Sequence, residues 1–138
     1  MVELSTTRLA ELISKRRKCL AQLRDLGAKQ GELIADGNMT ALLRIFSAKH
    51  ELIAALEALE RELRPYHDED PESRQWASPA DRAACAVDAE ECRRLLAEVM
   101  ALEQAGERQM TVRRDGVASE LRSLSAAGRV REAYQANR

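Results

Sequence analysis

Aromatic residues make up only 3% of the chain: one tryptophan, two tyrosines and one phenylalanine. That scarcity argues against a β-sandwich or barrel, whose strands draw on aromatic and β-branched side chains. Three prolines in 138 residues leave long stretches free of helix breaks. A basic surplus is also missing, since 22 Lys and Arg face 23 Asp and Glu. A nucleic-acid binder needs such a surplus to displace counterions from phosphate, so no nucleic acid is expected as a partner. The uninterrupted apolar runs are a few residues long, which excludes membrane insertion. The segment MVELSTTRLAELISKRRK mixes charge among its apolar residues and lacks the apolar block of a secretory signal. Cys19, Cys85 and Cys92 are odd in number and never at CxxC spacing. They read as reduced, buried thiols in a cytoplasmic protein.

Catalytic patterns are missing as well. No glycine-rich phosphate loop, HExxH or nucleophile elbow occurs. Of the two histidines, His50 sits between Lys49 and Glu51, and His67 precedes the acidic run Asp68-Glu69-Asp70. Neither follows a Glu by three residues as a di-iron bundle requires, and the acidic run lacks the glycine and spacing of a calcium loop. No enzyme activity, metal or cofactor is expected.

What the chain has in quantity is Ala, Leu, Glu and Arg, the material of long helices. The clearest stretch is NMTALLRIFSAKHELIAALEALERELRP, residues 38–65. Leu42, Ile45, Phe46, Lys49, Leu52, Ile53, Leu56, Leu59 and Leu63 recur there at steps of three and four, one stripe along an α-helix. Gly37 is placed to end a preceding helix, Asn38 or Thr40 to cap this one, and Pro65 to stop it. Outside the stripe, Glu57–Arg61 and Glu60–Arg64 stand at i, i+4 spacing in the favoured order. One amphipathic helix cannot bury its own stripe, so neighbours are required.

The first of these neighbours is predicted to begin near Ser5 or Thr6 and run to about Asp36. Leu9, Leu12, Ile13, Cys19, Leu20, Leu23, Leu26, Leu33 and Ile34 form its stripe. The run Lys15-Arg16-Arg17-Lys18 nearly circles the helix, so one member faces inward. Arg16 is that member, its methylenes laid over Leu12 and Leu20. Gly27 and Gly31 weaken this helix and mark a place for a kink or fraying. Residues 65–78, PYHDEDPESRQWAS, read as a loop with one helical turn at Pro71–Trp76, Trp76 lidding the bundle end.

Ser78 and Pro79 then restart a helix as cap and first residue, with Asp81 in the first turn. Ala80, Ala84, Val87, Glu91, Leu95, Val99, Leu102, Ala105 and Met110 trace its predicted stripe. Its alanine-rich first half permits close approach to another helix, and Glu91 is the expected partner of Lys49. Continued to Arg114, this helix outreaches both others. Past Asp115-Gly116 the stripe is sparse, Val117, Leu121 and Leu124, and then Ala126-Ala127-Gly128 predicts a break. Such weakly apolar ends fray or fold against a partner. The expected architecture is all-α: an antiparallel bundle of three long helices over residues 1–114, with a mobile C-terminal helical segment over 115–138.

The order of helix, Gly-Asn turn, leucine-rich helix ending in Arg-Pro, interrupted loop and long helix resembles the FlgN-type flagellar export chaperones. Two stretches carry the resemblance. One is GELIADGNMTALLRIFSAKHELIAALEALERELRP, centred on Lys49; the other is the tail LRSLSAAGRVREAY, with Gly128-Arg129 and Ala133-Tyr134. The resemblance implies a cytoplasmic chaperone that holds hook–filament junction proteins by an aggregation-prone helical region. It also implies delivery to a component of the export gate, with the C-terminal segment carrying much of the contact. Docking of amphipathic helices uses anchors at i, i+3, i+4 and i+7. The candidate anchors for this substrate are Val117, Leu121, Leu124, Val130 and Tyr134. The alternative is a coiled-coil scaffold or adaptor that self-associates through its long helices, supported by the 4-3-4 spacing of Leu52, Leu56, Leu59 and Leu63. Monomer and homodimer are both compatible with the sequence.

Overall fold

A computed structural model describes residues 4–136, without the side chains of Ala133, Tyr134 and Ala136. Helix α1 spans Thr6–Asp36, α2 spans Met39–His67 and α3 spans Pro79–Ala136; a short 3-10 turn at Pro71–Ser73 lies in the α2–α3 connection. The caps follow from the residue types. Ser5 Oγ accepts from the Arg8 N–H at 3.2 Å, the Asn38 side chain from the Ala41 N–H at 3.1 Å, and Ser78 Oγ from the Asp81 N–H at 3.1 Å. Each satisfies one of the free donors of a first turn. Gly37 ends α1 at φ 71, and the N–H groups of Gly37 and Asn38 return to the carbonyls of Ile34 and Leu33. That is a Schellman closure, and it needs a left-handed residue.

The helices run up, down and up. Helix α1 lies centrally, packing against both α2 and α3, while the backbones of α2 and α3 stay apart. Three apolar layers fill the space. Leu9, Leu12, Leu63, Tyr66 and Cys85 close the loop end, with Trp76 packed against them. Cys19, Leu20, Leu23, Cys92 and Leu95 form the middle with Leu52, Leu56 and Val99. Leu33, Ile34 and Leu42 form the turn end with Ile45 and Met110.

Several expectations are corrected. Pro65 does not stop α2, which continues to His67. The ring frees only a carbonyl near the helix end, where exposure makes the loss cheap. In return Tyr66 is buried, its hydroxyl donates to the Ser5 carbonyl at 2.9 Å, and Arg74 Nη2 donates to the Tyr66 carbonyl at 2.9 Å. The buried stripe of α3 differs in phase from the expected one in its first half. Cys85 and Cys92 face inward, and Ala80, Ala84 and Val87 are exposed. The close approach lies instead at the far end. A Cβ on Gly27 would stand 3.3 Å from Leu102, and one on Gly106 would stand 2.8 Å from the Gln30 amide nitrogen. Gly27 and Gly31 therefore mark a packing seam in an unbroken helix.

Lys49 pairs with Glu103 rather than Glu91. Cys85 is level with Leu63 and Tyr66, so the α3 register can be counted upward from there. Lys49 stands about four turns above Leu63, Glu103 about five above Cys85, and Glu91 under two. Glu91 is held by Arg94 on its own helix at 2.9 Å. The pairings expected along α2 give way to pairings with α1, Arg8 to Glu62 at 3.0 Å and Arg16 to Glu60. Arg16 is thus a half-buried ion-pair member as well as a cover for its neighbours.

Candidate functional site

Helix α3 has 58 residues against 31 in α1 and 29 in α2. Met110 is its last side chain packed on a core layer. Beyond the α1–α2 turn it continues as an overhang, which from residue 117 to 136 adds about 30 Å at 1.5 Å per residue. The predicted break at Ala126-Ala127-Gly128 does not occur, for the helix is continuous to Ala136. A Cβ placed on Gly116 or Gly128 would meet nothing within 4 Å.

Where the overhang leaves the bundle, it and the turn enclose a hollow of about 270 Å³. Ile34, Met39, Leu42, Met110 and Val117 supply its apolar lining, and Gly37, Arg113 and Arg114 line it as well. Arg113 Nη1 donates to the Ile34 carbonyl, which also accepts from the Gly37 N–H, so α3 is anchored at the closure of α1.

Val117, Leu121 and Leu124 stand 50%, 61% and 69% exposed. Spaced by four and three, they form one row on one face, and that row begins in the hollow. Val130 is also exposed. Six residues past Leu124, it is turned about 120° from that face at 100° per residue. Tyr134 lies on the helix, with its side chain outside the described residues.

Part of this surface lies outside the anchors that the sequence suggests. Met39 and Leu43 are exposed, and Phe46 and Ile53, assigned inward, are 37% and 41% exposed. Met39, Leu43 and Phe46 form a second row on α2, one residue out of phase with the buried Leu42 and Lys49. It starts at the same hollow. The signal was present as a second i, i+4, i+7 spacing, but two adjacent stripes on one helix merge into a single broad one when no neighbour is known.

Among the described residues, no group of three or more His, Cys, Asp or Glu is placed to hold a metal ion. Burial raises the Cys19, Cys85 and Cys92 thiols above their ordinary value; at Cys92 the nearby Arg16 partly opposes this. All three stay protonated and are poor nucleophiles near neutrality. Cys19 and Cys92 donate to the carbonyls of Leu52 and Ile13, at 3.2 and 3.6 Å. No described helix is long and apolar enough to cross a membrane. The surface offered is therefore a long helix with one apolar row and a hollow at its root.

In comparison with known proteins, a family model described as FlgN protein matches residues 1–135. No curated protein and no solved structure matches the chain.

Proposed function

The chain belongs to the FlgN family of flagellar export chaperones, and from that premise we propose that it binds hook–filament junction proteins in the cytoplasm and keeps them competent for export. Residues 1–114 are the supporting bundle, and residues 115–138 carry the docking segment. The observation that supports this reading is the exposed row Val117, Leu121 and Leu124 on a stretch of α3 that no core layer among the described residues covers. A partner helix laid along the row would bury leucines that the free chain leaves in water. Delivery to an export-gate component belongs to the same proposal.

The test is co-expression with the junction proteins of the same organism, followed by size-exclusion chromatography. A co-eluting complex is expected, lost when residues 116–138 are removed. Self-association that rises with concentration, without any complex, would favour the scaffold reading, for which the same exposed row is a natural seam.

A further inference from the structure

The overhang differs in charge from the rest of the molecule. Residues 111–138, past the last core-packed side chain, hold six arginines against three carboxylates, while residues 1–110 hold sixteen Lys and Arg against twenty Asp and Glu. The bundle's charges are largely matched within it, as in Arg8–Glu62, Arg16–Glu60, Arg17–Asp88 and Lys49–Glu103. On the overhang, the described residues hold one ion pair, Arg114 with Asp115 at 3.5 Å, both well exposed.

The arginines also have a position. Arg114, Val117, Leu121, Leu124, Gly128 and Arg131 succeed one another at steps of three, four, three, four and three along a continuous helix. That is a single heptad face, apolar in the middle and cationic at both ends. Arg114 also lines the hollow, together with Met39 and Met110.

We propose that this face is a charge-bracketed receptor for one kind of occupant: an amphipathic partner helix whose apolar stripe is flanked at both ends by carboxylates. The carboxylates should lie about 26 Å apart, the span from Arg114 to Arg131 at 1.5 Å per residue, or about seventeen residues of helix. A bulky apolar side chain beside one carboxylate would enter the hollow. The inference rests on the docking role of the overhang and names the chemistry of what docks. The apolar row supplies contact area, and the bracketing charges select partner and register.

The probes are two designed helical peptides sharing one leucine stripe, one with glutamates at the two flanking positions and the other with lysines. Binding is followed by fluorescence anisotropy with the full chain. The glutamate peptide is expected to bind, more weakly as salt rises from about 50 to about 500 mM. Reversal in R114E/R131E should weaken it about tenfold or more, and R114K/R131K should largely retain it. Equal binding of the two peptides, or no loss in R114E/R131E, overturns the proposal. Both arginines lie on the exposed face, so melting temperature serves as the control for folding. Junction-protein capture separates the two levels. If wild type and R114E/R131E capture it equally, docking stands and the charge bracket falls; if wild type captures none, both fall.

Discussion

Lys49 shows how much one side chain holds. It is buried, and its ammonium donates to Gln30 Oε1 at 2.7 Å and to the Glu103 carboxylate, tying α2 to α1 and α3 at once. Glu103 is half-exposed and can return to water, but the Gln30 side chain is buried and would lose its partner. Lys49→Met is therefore expected to cost about 1–3 kcal/mol, read as a lower urea midpoint. A higher midpoint would mean that desolvating the charge outweighs its bonds. The inward position of Lys49 was legible from spacing alone. Its partner was not, because register depends on how the loop returns the chain.

The three thiols set a pH dependence. Burial lifts each above its ordinary value of 9.0, and burial and the charge of Glu69 lift Tyr66 as well. A raised folded value gives stability that is fully present below the unfolded value and lost as pH rises through the folded one. Melting temperature should accordingly fall as pH rises above the ordinary thiol value of 9.0, and native thiols should react slowly with Ellman's reagent at neutral pH. A flat profile with fast labelling would contradict the buried placement. That the cysteines are buried followed from their character as small hydrophobes. Their phase on α3 did not, since the alternative row Ala80, Ala84 and Val87 reads equally well without a neighbour to choose between them.

Among the elements, the α1–α2 turn is most sharply specified. Gly37 is left-handed, and a Cβ there would come within 2.6 Å of Arg113 Nη2. Gly37→Ala should cost about 1–2 kcal/mol from conformation alone and should also disturb the Arg113 contact with the Ile34 carbonyl. Thermal melting checks this, and an unchanged melting temperature would remove the turn from its structural role. Caps, helix starts and the turn were readable because each depends on a few adjacent residues. The end of α2 was misread because local rules for Pro65 were outweighed by Tyr66, whose bond to Ser5 crosses 61 positions of sequence.

At the scale of the whole molecule, the overhang's leucines stand outside the core layers of the bundle. Leu121 and Leu124 are exposed and belong to no core layer. Leu121→Ser with Leu124→Ser should leave the melting temperature within about 1 °C, in keeping with the small effects of surface changes, while abolishing capture of the junction protein. A marked fall in melting temperature would place these leucines in the core. The row they form could be seen in the sequence because a single helix face needs no neighbour to define it. The hollow could not, because it joins Met39 to Met110 and Val117, residues brought together only by the up-down-up path.

That every core layer is complete by Met110 has a consequence for biosynthesis. The chain emerges at about 5–20 residues per second and domains fold as units. The ribosome therefore makes the whole of the bundle's core before it makes the leucines of the overhang. The order of synthesis thus gives the bundle its complete core before the exposed leucines follow.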